Sequence, residues 1–256
     1  MRVGIIQGRL SEPTLGFQEC PEDWKREFEL LSKLNLNHIE WIITSQRFEA
    51  NPAFHEDISS YPISSLCADN LVDARITDKE FLNKNLRPIC EAALKNNIKQ
   101  VAIPLLEDST VENESTRKAF CDEIQEYAEE YKKINFLFEA ELDAENLLKI
   151  VNLSERFFIT YDTGNITSCG FSHKDYLPKV YEKIKNVHLK DRTFDAKTVE
   201  PTQGDTNFKE IFNFLKEKGY NKHYTLQTAR GITGQELETV IDHKRILEEI
   251  YNEQCI

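Results

Sequence analysis

Short apolar runs with strand character alternate along the chain with longer segments whose apolar residues recur at helical spacing. The strand-like runs are Val3–Gln7, Asn37–Ile43, Ile63–Asp69, Gln100–Leu105, Asn135–Glu141, Phe157–Asp162, Asn186–Lys190 and His223–Gln227. Phe120, Ile124, Tyr127, Ala128 and Tyr131 fall on one helical stripe. Leu82, Leu86, Ile89, Cys90 and Ala93 form a second stripe, opened by a capping box from Thr77 to Glu80 and kinked or split at Pro88. Eight strand runs in 256 residues give about 32 residues per unit, the size of a βα repeat, and strict alternation predicts a parallel sheet. A doubly wound sheet is the competing α/β arrangement, but Gly8 is followed by Arg9-Leu10-Ser11 and no G-x-G-x-x-G appears. The expectation is an α/β fold, a single (β/α)8 TIM barrel spanning residues 1–256 as one domain.

Charge narrows the partners. With 44 acidic and 32 basic side chains the formal net charge is −12, which repels nucleic acid and anionic membranes, and no basic cluster offsets it. No apolar run is long enough to cross a membrane, and the opening Met-Arg-Val-Gly-Ile-Ile-Gln is too short for a signal-peptide core. A cytoplasmic protein is expected. Cys20, Cys67, Cys90, Cys121, Cys169 and Cys255 form no C-x-x-C pair and are read as reduced packing residues.

In a barrel of this kind the chemistry sits where strands end, and four consecutive strands end in suitable residues. These are Glu139 and Glu141 in the fifth run, Asp162 with Asn165 after the sixth, His188 and Lys190 in the seventh, and Gln227 in the eighth. Period two puts Glu139 on one face with Glu141, and His188 on one face with Lys190. Singly, each has a structural alternative: Glu139 or Asp162 as a helix cap, His188 as a hydrogen-bonded structural histidine. Together two carboxylates, an imidazole and an amide oxygen suit one divalent cation, Mn²⁺ or Mg²⁺ in preference, with Co²⁺ and Zn²⁺ left open.

Asp162-Thr163-Gly164-Asn165, His188-Leu189-Lys190-Asp191 and Glu139 resemble the metal-binding elements of the xylose-isomerase-like TIM-barrel family of sugar and sugar-phosphate isomerases and epimerases. Gln203-Gly204-Asp205-Thr206-Asn207-Phe208 resembles that family's G-x-x-[DN]-[FW] loop between strands 7 and 8. The resemblance implies a metal held by Glu139, Asp162, His188 and Gln227. The last departs from the pattern, because family 3-epimerases carry a glutamate there and an amide cannot act as a base near neutral pH.

The expected chemistry is removal of an α-proton next to a metal-bound ketose carbonyl, giving an enediolate. Glu139 is the candidate base, with Glu141 or Glu40 as second carriers; Lys190 stands beside the metal. Gln7, Arg9, Trp41, Asp69, Asn165, Arg192 and Arg230 are candidate substrate contacts, the cations among them for a phosphate or carboxylate and Trp41 for a sugar face. One base suffices for aldose–ketose isomerisation, whereas epimerisation needs two faces served. The expected partner is a small sugar or sugar phosphate, with homo-oligomers open. A dehydratase of a cyclic polyol and a non-catalytic sugar-binding barrel are the competing readings.

Overall fold

A computed structural model describes residues 1–13 and 20–253. Eight parallel strands close into a barrel in chain order. They are β1 (Arg2–Ile6), β2 (Ile39–Ile42), β3 (Ile63–Cys67), β4 (Gln100–Leu105), β5 (Asn135–Ala140), β6 (Phe157–Asp162), β7 (Ile184–Leu189) and β8 (His223–Leu226). Each corresponds to one strand-like run, trimmed or extended by two residues at most. Pairing of β1 with β8 completes the cylinder and leaves none of these strands with an open edge.

The helical stripes become helices α3 (Lys79–Asn85), α4 (Arg87–Lys95) and α5 (Glu114–Glu130). Pro88 splits α3 from α4 because it has no N–H for an interior turn and so occupies the first turn of a new helix. The cap of α3 is Asp78 rather than Thr77: its side chain accepts from Phe81 N at 2.6 Å. A carboxylate one position later meets the free amide better than the expected threonine.

Burial follows period two. Trp41, Ile39, Val101, Ile103, Phe136 and Phe138 point outward into the layer between barrel and helices, which forms the main core. Ile6, Ile42, Cys67, Ala102 and Leu137 from β1 to β5 fill the barrel interior as a separate apolar cluster. The β6–β8 side of the interior is polar instead, and every member of Thr160, Asn186, His188 and Thr225 is buried. Cys20, Cys67, Cys90, Cys121 and Cys169 are free thiols; Cys255 lies outside the described residues.

Candidate metal centre and its cavity

A cavity of about 620 Å³ opens at the C-terminal ends of the strands, lined among others by Arg9, Asp69, Glu139, Glu141, Asn165, Lys190, Arg192 and Gln227. At its floor, ligand atoms of Glu139, Asp162 and His188 all lie within 4.8 Å of one another. His188 Nδ1 is 3.2 Å from Glu139 Oε2 and 3.8 Å from Asp162 Oδ2 but makes an aligned hydrogen bond to neither. Asp162 Oδ2 and Gln227 Oε1 are also buried without a hydrogen bond, although Lys190 Nζ stands 2.9 Å from the former as an ion-pair partner. Buried polar atoms are usually paired, so two left without a hydrogen bond in one cluster with Glu139, and Gln227 Oε1 as a third on a residue lining the same cavity, form an arrangement a cation would complete. The donor set fits a divalent ion: two carboxylates, one imidazole nitrogen and one amide oxygen.

Local sequence explains how these side chains are held. Asp162 ends β6 and caps helix α7 (Thr163–Ser168), its Oδ1 accepting from Asn165 N at 2.8 Å, which leaves the other oxygen to Lys190 and His188. Thr163 Oγ1 donates to Lys190 O at 2.6 Å and accepts from Lys190 N at 3.0 Å, tying β6 to β7. A Cβ on Gly164 would approach Lys190 Cγ and Arg192 Cγ to 3.0 Å, so glycine leaves room for both to pack. Asn165 Nδ2 donates to Glu139 Oε1 at 2.8 Å, and its Oδ1 accepts from Arg192 at 2.9 Å.

Glu40 is placed differently from the expectation. It is fully buried below the cavity, where its carboxylate accepts from His188 Nε2 (2.8 Å), Asn186 Nδ2 (2.8 Å) and Ser65 Oγ (2.7 Å). Both oxygens are engaged, so Glu40 is no second proton carrier; it orients the imidazole and turns Nδ1 toward the cavity. Burial favours its neutral form, yet His188 and Ser65 outweigh that and hold its pKa below the usual value. The same contest at Glu139 ends the same way, with His188 and then Lys190 overriding burial. At Asp162 burial prevails, reinforced by Glu139, and the pKa is raised. Burial disfavours imidazolium at His188, but Glu40 and Glu139 on either side raise its pKa well above normal.

Three other expected contacts are corrected. Trp41 shares no face with Glu40: it packs outward against Trp24 and Phe28, and its indole N–H donates to Asn51 Oδ1 at 3.0 Å. Gln7, fully buried, spends its amide oxygen on Ile42 N at 3.1 Å and lines no part of the cavity. Arg230 donates to Gly8 O (2.7 Å) and Ser11 O (3.1 Å), bracing the turn after β1 rather than facing the cavity. Glu141 and Arg192 do stand at the rim, 3.3 Å apart, and Asp69 and Arg9 line the wall.

Asp191, quoted only as the last residue of the strand 7 motif, and Glu27 were given no role from the sequence. Asp191 is fully buried and accepts from Gly204 N (3.0 Å) and Thr206 N (3.2 Å). A Cβ on Gly204 would meet Asp191 Oδ1 at 2.3 Å, so only glycine lets the Gln203–Phe208 loop close on it. This clamp supports a short hairpin, Asp191–Arg192 against Thr198–Val199, that walls the cavity with Ala196 and Thr198. Two-residue strands leave no periodicity to read. Glu27, on helix α1 (Trp24–Lys33), accepts from Gly8 N, Leu10 N and Ser11 Oγ at 2.9–3.1 Å.

With this geometry in hand, three comparisons place the chain. Residues 28–249 match the sequence profile of the xylose isomerase-like TIM barrel family. No curated protein sequence is similar enough to count as a match. Among solved structures, the IOLI protein with a bound zinc atom superposes with a TM-score of 0.74 at 17% identity, covering 99% of this chain and 100% of that one. The 3-keto-D-glucoside 4-epimerase YcjR from E. coli gives 0.69 at 15% identity, covering 97% and 99%. The probable 3-DHS dehydratase AsbF of petrobactin synthesis, from Bacillus anthracis, gives 0.71 at 12% identity, again covering 97% and 99%. At such identities the structural likeness speaks for the fold alone; the profile match spans most of the sequence, and the chain belongs to the xylose isomerase-like TIM barrel family.

Proposed function

We propose that the chain is a divalent-metal-dependent isomerase or epimerase of sugars or sugar phosphates, working through an enediolate at a ketose carbonyl. The observation that carries this reading is the pair of buried atoms Asp162 Oδ2 and His188 Nδ1, without hydrogen bonds, clustered with the Glu139 carboxylate, together with Gln227 Oε1, also without one, from a residue lining the same cavity. Glu139, Asp162, His188 and Gln227 would hold the ion, which supplies electrophilic stabilisation of charge developing on the substrate oxygen.

The chain's own groups define the rest. Glu139 is kept ionised by His188 and Lys190 and is positioned through Asn165, so its carboxylate is the proton acceptor. Gln227 has no proton to accept or return. Glu40 is consumed below the floor, and Glu141 sits at the half-exposed rim against Arg192. One strong base on one face favours aldose–ketose isomerisation over epimerisation. The same first step serves a lyase of a cyclic polyol, and the likeness to the probable 3-DHS dehydratase supports that as the second reading. The likeness to a zinc-containing protein keeps Zn²⁺ beside Mn²⁺ and Mg²⁺ as the ion to be tried.

The test is incubation of Mn²⁺-loaded protein with ketoses and ketose phosphates in D₂O, with deuterium located by NMR. Label at C1 is expected; label at C3 would mean epimerisation, and an unsaturated product the lyase. Glu139→Gln should abolish exchange with the fold preserved. Absence of exchange across the panel would overturn the enzymatic reading in favour of a binding barrel.

A further inference from the structure

One of the hydrogen bonds received by Glu40 sets a direction that continues down the barrel interior. Asn186 turns its Nδ2 to Glu40 Oε2 at 2.8 Å, which leaves its Oδ1 on the other side. A hydroxyl has a single proton, and Thr225 gives its own to that Oδ1 at 2.9 Å. Thr225 Oγ1 can then only accept from its next neighbour, His38 Nε2, at 3.2 Å. All four side chains are buried, and turning the Asn186 amide over would set its oxygen against the Glu40 carboxylate.

The lower end of this column is built as closely as the upper. His38 directly precedes β2, so period two aims it inward, one layer below Glu40. A Cβ on Gly4 would meet its ring atoms at 2.3–2.5 Å, so glycine in β1 gives the imidazole its seat, and His223 packs on it with ring centroids 4.6 Å apart. Burial, then His223 and Arg2, push its pKa well below the usual value, so the ring is neutral and carries one proton. Among the described residues His38 Nδ1 has no hydrogen bond, which puts that proton on Nε2, toward Thr225. The bonds join residues 187, 39 and 146 apart in sequence and cross between β2, β7 and β8, with every proton directed toward Glu40. Glu40 then accepts from His188 Nε2 and leaves Nδ1 to the cavity floor.

We propose that His38 and Thr225 are positioning residues for the candidate metal centre, the last links of a one-way hydrogen-bond column that runs through Asn186 and Glu40 and holds His188 with Nδ1 at the floor. This rests on the metal-site reading and extends it to residues that line no part of the cavity. Two variants separate hydrogen bonding from packing: Thr225→Val keeps the shape and removes the hydroxyl, whereas Thr225→Ser keeps the hydroxyl and removes a methyl. In calorimetric titration with Mn²⁺, Thr225→Val should bind roughly 3–10-fold more weakly, less than the loss of a ligand's direct partner causes, and Thr225→Ser within about twofold of the unaltered chain. A packing role predicts the reverse order. Imidazole ¹⁵N–¹H NMR of the metal-free protein, assigned with His38→Gln, should show His38 as the Nε2–H tautomer. The His188 ring resonances should move in Thr225→Val and stay in Thr225→Ser, with melting temperatures confirming that both variants fold. A His38 proton on Nδ1, His188 resonances unmoved in Thr225→Val, or equal loss of Mn²⁺ affinity in both variants overturns the proposal. If the unaltered chain takes up no Mn²⁺ the metal-site reading falls, and the NMR then decides by itself whether the column positions His188.

Discussion

Two buried polar regions sit one above the other inside this barrel, and they differ in how completely their hydrogen bonds are made. Below, Glu40 is saturated by Ser65, Asn186 and His188, and Asn186 in turn accepts from Thr225 at 2.9 Å. Above, Asp162, His188 and Gln227 each leave an atom without a hydrogen bond at the cavity floor. His188 belongs to both, one ring nitrogen in each. Complete networks fix geometry; incomplete ones are costly unless a ligand completes them, and that cost marks a site. The lower region is scaffold for the upper one.

The difference has consequences that can be measured, the largest at the shared imidazole. Glu40→Gln removes a buried charge partner of His188 and should lower unfolding free energy by roughly 3 kcal/mol. The same variant should weaken Mn²⁺ binding by about 10–100-fold, because the ring loses the partner that aims it. Chemical denaturation and metal titration of one variant check both; a stable variant with unaltered affinity would detach Glu40 from the site.

A comparable effect is expected in acid at a second complete network. His173 accepts or donates at Tyr161 Oη (2.5 Å) and Thr167 Oγ1 (2.9 Å), and burial lowers its pKa from 6.5 to about 4. The unfolded chain therefore takes up the proton first. Stability from this residue is present above about pH 6.5, declines as pH falls, and is fully lost below about 4, a change of roughly 3 kcal/mol. His173→Gln should flatten that part of the pH–stability curve measured by denaturation; an unchanged slope would assign it to other groups.

A smaller and opposite change is expected at the incomplete region. Gln227→Leu replaces a buried oxygen lacking a hydrogen bond with apolar surface and should leave stability unchanged or raise it by about 1 kcal/mol, while Mn²⁺ affinity falls. A destabilised Gln227→Leu with full metal binding would make Gln227 structural.

Cation uptake adds a pH dependence of its own. His188 is held protonated by its two carboxylate neighbours, so an ion taking Nδ1 displaces that proton. Affinity should fall with decreasing pH, and calorimetry in buffers of different ionisation enthalpy should show release of about one proton.

The barrel was legible because strand and helix periods differ, and each run from Val3–Gln7 to His223–Gln227 kept its place. The β7 strand starts earlier than the polar Asn186 suggested, because Ile184 already pairs with Ile159 across a register shift. The strand-end carboxylates, His188 and Gln227 could be gathered from their positions alone. Trp41 was misplaced although alternation held the answer: a strand that points Glu40 inward must point Trp41 outward. Glu40's bond to His188 joins residues 148 apart in sequence across the barrel, which no local pattern encodes. Arg230 and Gln7 had the right side chains at the right end of the barrel, but backbone groups of a neighbouring turn and of strand β2 claimed them. The roles of Asp191 and Glu27 were not legible for a related reason, since their partners include amides of loops.

The most direct test of the account is anomalous diffraction from crystals grown with Mn²⁺. One ion bonded by Glu139, Asp162, His188 Nδ1 and Gln227 Oε1 is the predicted result. An empty floor at saturating Mn²⁺, or an ion held elsewhere with these four side chains unaltered, would contradict it.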